Sequence, residues 1–415
     1  MAELLNVDQA LERILATVES CPTESCSLAQ AYGRILAEPL VAKLNLPPFA
    51  NSSMDGYAIR AADSLNASRG SPASLRVTQD IPAGAFPHSI LADGEAARIM
   101  TGAPLPEGAD AIIPVEDTNA QWRDSNPDHI EIYRSVKSGD YVRPIGESVH
   151  EGQVVLPAGT LLRAAEIGIL ASLGETSVSV IRRPRVVILG SGNEVADPGQ
   201  PLEPGQIYDA NGPMLAALVQ EAGAEAIRLP NARDTLEDLR AVFRQAIDHK
   251  PDVIISSAGV SVGAADLTRQ VLDELGQINF WRINLRPGKP LAYGSLGGVP
   301  FFGLPGNPVS AYVTFDVMVR PILLRMGQQI ETMASGTALV GEAMPSDGRR
   351  SFIRVMLRRE GQEWIASETG TQSSGALMSL VMADALMIIP EDVKRVEAGT
   401  RLPVKWLKPT PKDRL

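Results

Sequence analysis

Hydrophobic positions along this chain change their period repeatedly, and each change predicts a different kind of structure. Val7, Ala10, Leu11, Ile14, Leu15 and Val18 recur at helical spacing until the extended Pro-Pro step in Leu44 to Pro48 breaks the pattern. From Phe49 to about Tyr141, short apolar runs such as Leu75 to Val77 and Ala111 to Val115 stand between Gly- and Pro-rich turns, which predicts a β-rich lobe. Helical spacing returns over Ala164 to Leu173. From Arg185 onward strand and helix patterns alternate, as in a parallel sheet covered on both faces. The strands predicted there are Val186 to Leu189, Glu225 to Leu229, Val253 to Ser256, Asn279 to Asn284 and Val299 to Phe302. Between them, Met214, Leu215, Leu218, Val219 and Ala222 make one helical stripe, and Leu236, Leu239, Val242, Phe243 and Ile247 make the next. After Arg320-Pro321 and the helix through Met326, Phe352 to Leu357, Trp364 to Ala366, Ala385 to Ile389 and Leu402 to Leu407 read as strands of a small β domain.

The fold class expected is therefore multidomain α/β. A helical and β N-terminal domain spans 1–44 and 145–180, a β-rich lobe is inserted at 45–144, a Rossmann-like three-layer α/β/α domain spans 181–328, and a small C-terminal β-barrel domain spans 329–415. A length of 415 residues suits several such cores.

Composition narrows the function classes. The net charge of −11 argues against a nucleic-acid partner, because phosphate neutralisation needs a basic face. An anionic small molecule would need a local cluster of Lys and Arg, so any such cluster is informative. No run approaches the roughly 18 apolar residues of a spanning helix, and the start has no basic segment followed by an apolar core. A cytoplasmic location with no membrane partner is expected. Cys21 and Cys26, the only cysteines, are too few for a disulfide framework or a zinc site, and His88, His129, His150 and His249 are scattered.

Candidate chemistry concentrates where the predicted strands end. Val253, Ile254 and Ile255 run into Ser256-Ser257-Ala258-Gly259-Val260-Ser261-Val262-Gly263, and Leu267, Val271, Leu272 and Leu275 then recur at helical spacing. Small residues between a strand and a helix leave backbone amides free to cradle phosphate or another oxyanion. Asp266, in the first helical turn, is either a dipole partner or a ligand for a divalent cation accompanying phosphates. Asp234, with Glu237 three residues on, reads as a capping-box start; a metal or substrate ligand is the other reading, and spacing alone favours the cap. Ligands of such sheets bind outside the carboxyl ends of the strands. There stand Gly190-Ser191-Gly192-Asn193-Glu194, Tyr208-Asp209-Ala210-Asn211-Gly212-Pro213, Leu285-Arg286-Pro287-Gly288-Lys289-Pro290 and Gly303-Leu304-Pro305-Gly306-Asn307-Pro308-Val309-Ser310. Arg286 and Lys289 supply the local positive charge that the bulk composition lacks. Further on, Gly370 to Gly375 reads as a polar loop, and Arg349, Arg350 and Arg354 read as solvated edge-strand charges.

As an ordered set these motifs resemble the molybdopterin molybdenumtransferases, the MoeA family, which includes the E domain of gephyrin. The resemblance also rests on Pro47-Pro48-Phe49, Met54-Asp55-Gly56-Tyr57-Ala58, Arg98-Ile99-Met100-Thr101-Gly102-Ala103-Pro104-Leu105-Pro106, Gly108-Ala109-Asp110, Val260-Ser261-Val262-Gly263 and Pro305-Gly306-Asn307-Pro308, and covers essentially the whole chain. It implies that the α/β domain is of the molybdopterin-binding type. It implies a homodimer with a shared active cleft, and a reaction in which molybdate displaces the adenylate of adenylylated molybdopterin, giving molybdenum cofactor and AMP with Mg2+ as cofactor. By the same resemblance, Asp266 and Asp234 are the acidic pair handling magnesium and adenylate. Glu194 and Asp209 are substrate-side carboxyls, and Ser257, Gly259 and Gly263 belong to the anion turn. Arg286 and Lys289 are the cationic pair for molybdate, with Ser261, Pro305 and Ser310 beside them, while Asp55 and Thr101 reach in from the partner chain. Implied partners are the two substrates, a second copy, molybdopterin adenylyltransferase and molybdoenzyme apoproteins.

The chain departs from the family pattern in three ways. Ala258 replaces a glycine, Ala264-Ala265 replace acidic or polar residues, and Arg286 replaces a common lysine. Arginine binds oxyanions bidentately, so the last change bears on selection between molybdate and tungstate. Two other readings stand beside the transferase: molybdopterin adenylyltransferase activity, which uses a related α/β domain, and a non-catalytic scaffold.

Overall fold

The computed structural model describes residues 4–120, 127–257, 265–331 and 333–408. The chain folds into two compact units, one formed by residues 1–24, 33–35 and 180–415, the other by 25–32 and 36–179.

The first unit begins with helix α1 (Val7–Leu15). The Asn6 side chain caps it by accepting the backbone N–H groups of Asp8 and Gln9, and Val7, Ala10 and Ile14 form its buried face. A six-stranded sheet follows, made of β1 (Arg185–Gly190), β2 (Glu225–Arg228), β3 (Val253–Ser257), β4 (Gly276–Arg282), β5 (Pro290–Leu296) and β6 (Val299–Leu304) in the order β2-β1-β3-β6-β5-β4. Strands β2, β1, β3 and β6 are parallel, whereas β5 and β4 run antiparallel to their neighbours. The all-parallel expectation is thus corrected, and β5 is a strand that the periodicity did not reveal. Loop 283–289 is too short for the crossover that a parallel pair requires. Gly297-Gly298, both at positive φ, close a two-residue hairpin from β5 to β6.

Helices α2 (Asn211–Glu221), α3 (Leu236–Asp248) and α4 (Ala265–Leu275) accompany the sheet. Phe243 and Leu239 of α3, with Val271 and Leu272 of α4, pack with Val187, Ile254 and Phe301 in one buried core. Each large side chain so buried contributes about 1.5–3 kcal/mol. The cap of α3 is Thr235, whose hydroxyl accepts the Asp238 N–H at 3.1 Å, so the expectation that Asp234 caps this helix is corrected. A threonine hydroxyl one residue closer to the helix takes the orphan donor.

After helix α5 (Pro308–Thr314) the chain enters a closed five-stranded barrel of β7 (Ser335–Val340), β8 (Arg350–Glu360), β9 (Glu363–Glu368), β10 (Ala385–Ile389) and β11 (Arg401–Trp406). Neighbours run β8-β9-β7-β11-β10, and β10 returns to β8 to close the circle. Val355, Met387 and Val404 belong to its buried core, and closure leaves no unpaired edge among these strands.

In the second unit a five-stranded sheet pairs Ala111–Pro114, Gly56–Ile59, Glu95–Ile99, Ser68–Ile81 and His129–Arg134 in that order. Gly56 lies so close to the neighbouring strand that a Cβ would meet the Ile113 carbonyl oxygen at 2.1 Å. The helix expected over Ala164 to Leu173 is present as Ala164–Ser172. Among the described residues no helix is long and apolar enough to cross a membrane.

Candidate active site

Strand register brings the first group of site residues together. Gly190 pairs with Ser257, and Ser257 with Leu304, so β1, β3 and β6 end side by side. The loops that follow meet at this edge, as expected for a doubly wound sheet. A cavity of about 490 Å³ opens there, lined by Ser191, Glu194, Asp209, Asn211, Asn231 and Ser257 among others. Gly190 has no room for a side chain, since a Cβ would meet Asn231 Oδ1 at 2.3 Å.

The carboxylates of this edge are engaged to different degrees. Asp209 is buried: its oxygens accept the Gly212 N–H of α2 at 2.9 Å, the Arg228 guanidinium at 3.1 Å and the Asn231 amide at 3.3 Å. It shapes the wall and anchors α2. Glu194 is exposed and lines the cavity. Asp234 exchanges two bonds with Asn193, its carboxylate accepting the Asn193 N–H and its own N–H donating to Asn193 Oδ1, both at 3.2 Å. That exchange ties the loop after β2 to the Glu194 loop. Among the described residues no cluster of three or more His, Cys, Asp or Glu has the arrangement of a metal site. Gly259, Ser261 and Gly263 lie outside the described residues, as does Ala258; Asp266 belongs to the first turn of α4, with its side chain outside the description.

A second cavity, of about 370 Å³, shares Gly306 and Asn307 with the first. Its wall carries four cations, Arg286, Lys289, Arg349 and Arg354, together with Pro305 and Ser310. Arg286 and Lys289 lie on the connection between β4 and β5. Its Leu285–Arg286 segment pairs in parallel with Arg350 and Ser351 of the barrel. Gly288 is required in that connection: its φ is +117°, and a Cβ would meet Thr314 Oγ1 at 2.3 Å. Lys289 is exposed, Ser310 is buried on the first turn of α5, and Arg286 has its Nε 4.0 Å from Asp347 Oδ2.

The barrel contributes residues that the sequence reading set aside. Arg354 is 1% exposed, which corrects the expectation of a solvated edge charge. Its Nε donates to Ser379 Oγ at 3.1 Å and its guanidinium to the Ser373 carbonyl at 3.2 Å. Gln372 exchanges two bonds with the Arg354 backbone, at 3.1 and 3.0 Å, so the 370–375 segment is an ordered wall rather than only a polar loop. Burial lowers the Arg354 pKa, an effect that Glu368 opposes and Arg286 reinforces. For Glu368 burial is again the largest influence and raises the carboxyl, with Arg354 and Arg286 pulling the other way. Arg349 lines the cavity while donating to the Leu285 carbonyl at 3.1 Å and pairing with Asp347. Burial favours the neutral form of Asp347, but the Arg349 bonds and the charges of Arg349 and Arg286 bring it below the usual carboxylate range. Arg350 pairs with Asp8 and is three-quarters covered, so it too departs from the edge-charge expectation. A signal existed in the sequence, since Arg354 interrupts Phe352-Ile353 and Val355, where a half-solvated strand would alternate.

In the second unit Asp55 and Thr101 meet because Gly56 pairs with Ile99 across two antiparallel strands. Both the N–H and the hydroxyl of Thr101 donate to Asp55 Oδ1, at 2.7 and 2.8 Å.

With this geometry in hand, comparison with known proteins identifies the kind of chain this is. Residues 5–174 match the MoeA N-terminal region (domain I and II), residues 187–325 a probable molybdopterin binding domain, and residues 337–407 the MoeA C-terminal region (domain IV). Molybdopterin molybdenumtransferase 2 of Mycobacterium tuberculosis is 39% identical over 406 residues, covering 95% of this chain and 98% of that protein. The molybdopterin molybdenumtransferase of a Nostoc species is 40% identical over 389 residues, covering 91% and 87%. A crystal structure of the molybdopterin biosynthesis MoeA protein from Pyrococcus horikosii superposes with a TM-score of 0.81 at 35% identity, covering 98% of this chain and 100% of that one. At that identity, over nearly the full length of each relative, the chain belongs to the MoeA family of molybdopterin molybdenumtransferases.

Proposed function

We propose that this chain is a molybdopterin molybdenumtransferase, which moves molybdenum from molybdate into adenylylated molybdopterin and releases AMP. The observation that carries the reading is the pairing of a cavity lined by cations with one lined by carboxylates across Gly306 and Asn307. A tetra-oxo dianion matches the first. Arg286 and Lys289 hold it, while Arg349 and Arg354 add fixed positive charge that needs no reorganisation when the anion arrives. Ser310 offers a hydroxyl donor. The second cavity takes the adenylylated pterin, with the Ser257 hydroxyl on its wall as a donor to the phosphates.

Magnesium fits the donors of the second cavity. Glu194 lines it, and Asp234 is tied to the neighbouring Asn193, in keeping with a cation held by one or two carboxylates and by substrate phosphates. Asp234 and Asp266 would hold it, and it would supply neutralisation of phosphate charge as AMP departs. Asn193 keeps Asp234 oriented, and Asp209 keeps the wall in shape. In a homodimer, Asp55 and Thr101 of the partner chain complete the cleft. Molybdopterin adenylyltransferase supplies the substrate, and molybdoenzyme apoproteins receive the product.

The test is AMP release from adenylylated molybdopterin with magnesium, with and without molybdate, alongside Asp266→Ala. Molybdate-dependent release that the variant loses supports the transferase. No release from a folded, dimeric protein turns the reading to a scaffold. Mixing Asp266→Ala with Asp55→Ala subunits tests the shared cleft, because a mixed dimer regains one intact site and activity returns.

A further inference from the structure

The cationic connection between β4 and β5 is fastened by the first residues of the chain. Leu5 donates its N–H to the Arg282 carbonyl at 2.8 Å, and its own carbonyl accepts the Asn284 N–H at 2.9 Å, so it lies as a bridge beside Ile283. On the other side the Asn284 carbonyl accepts the Arg350 N–H at 3.0 Å, and Leu285 and Arg286 continue the pairing with β8. Across the base of the connection the Ile283 N–H donates to the Lys289 carbonyl at 2.8 Å. The segment bearing Arg286 and Lys289 is thus a short strand held between Leu5 and the barrel.

Side chains repeat this arrangement. Asp8 takes a two-pronged bond from the Arg350 guanidinium, at 2.6 and 2.7 Å, and Asn6 donates to Glu391 at 2.6 Å. Arg350 Nε also lies 3.8 Å from Glu391. Arg350 is flanked in sequence by Arg349, which lines the cationic cavity and itself bonds the Leu285 carbonyl. None of Leu5, Asn6 or Asp8 lines the cavity. They reach it only through the residues that do.

We propose that residues Leu5, Asn6 and Asp8 form a positioning brace that sets the separation of Arg286 and Lys289 from Arg349 and so tunes the affinity of the cavity for its oxyanion. This rests on the reading of that cavity as the oxyanion site. Misplacing fixed charges by a fraction of an ångström weakens an anion site without emptying it of charge. The brace therefore acts on oxyanion affinity and leaves the carboxylate-lined cavity alone.

Three variants test it in the full-length protein, with tungstate and molybdate as calorimetric probes. Leu5→Pro removes the N–H bonded to Arg282. Asp8→Arg breaks the pair with Arg350, and Asp8→Arg combined with Arg350→Asp restores it with the charges exchanged. We expect Leu5→Pro and Asp8→Arg each to weaken oxyanion binding about three- to tenfold, the loss of one or two modest hydrogen bonds. In turnover the effect falls on KM for molybdate and not on kcat. The exchanged pair recovers most of the affinity, which a general loss of stability would not do. Unchanged affinity in both single variants, with wild-type protein binding the oxyanion, overturns the brace and leaves the site reading intact. Failure of wild-type protein to bind either oxyanion overturns the site reading and the brace with it. If Leu5→Pro lowers Tm so far that binding cannot be read, Asp8→Arg and the exchanged pair decide the matter: weakening without recovery overturns the proposal.

Discussion

The two cavities share Gly306 and Asn307 yet are built and charged in opposite ways. One is lined by Glu194 and Asp209 and by no Lys or Arg among the described residues; the other carries Arg286, Lys289, Arg349 and Arg354 and, among the described residues, no carboxylate. The acidic one sits where parallel strands end together, so its walls are loops between a strand and the next helix. The cationic one sits where the sheet turns antiparallel and the barrel leans against it, so its charges come from a hairpin connection and from barrel strand β8. Opposite charges placed so near one another would pair and cancel if the same flexible loop carried both. Distribution over two scaffolds keeps them apart.

The strongest way to break the contrast is Arg354→Ala. It deletes the buried cation and leaves Ser379 and the Ser373 carbonyl without their donor, so we expect loss of about 2–4 kcal/mol of stability together with oxyanion binding. Urea denaturation and calorimetry with tungstate read the two effects. Lys289→Ala separates them: an exposed lysine supports no core, so affinity for the oxyanion should fall roughly tenfold or more with an unchanged Tm. Asp209→Asn probes the acidic side. Weakening the bonds to Arg228 and Gly212 should cost about 1–3 kcal/mol without touching tungstate affinity, and equal loss of both would show that the cavities are not independent.

The smallest effect concerns pH. The Glu368 carboxyl is raised by burial, so the folded chain holds its proton more tightly than the unfolded one, and the resulting stability is full below the unfolded value of 4.5 and lost as pH rises through the folded value. Asp347 is lowered, so its contribution is present above 3.8 and lost as pH falls through the folded value. Glu368→Gln should therefore raise Tm slightly near pH 8 relative to wild type and give no gain near pH 4. A gain at both would assign the effect to packing rather than to charge.

Legibility in the sequence followed the same division. Strands β1, β3 and β6 and the loops of the acidic cavity stood out because β-branched runs flowing into Gly, Ser and Asn have one structural meaning. Arg286 and Lys289 were visible as cations on a Pro-Gly turn. Strand β5 was not, because Pro290 to Leu296 contains Gly294 and Ser295 and follows a proline-rich turn, and it is held mainly by its neighbours. Arg354 was missed because a charge in a strand is ordinarily solvated, and only barrel closure and the 370–375 segment cover it. Thr235 outcompeted Asp234 as a cap by a single residue, below the resolution of spacing arguments. The side-chain neighbourhood of Asp8 and Arg350 has no local signature at all, because the partners are 342 positions apart.

That distance has a consequence for how the protein is made. A ribosome releases Asn6 and Asp8 long before Ile283, Arg350 or Glu391 exists, and domains form in order as they emerge. The acidic cavity draws nearly all its wall from residues 190–308 and is largely complete once these are released, whereas the cationic one needs the barrel and then the capture of the N-terminal segment. Nascent and prematurely terminated chains therefore hold the acidic cavity without the cationic one, which is complete only once the barrel has formed and the N-terminal segment has joined it.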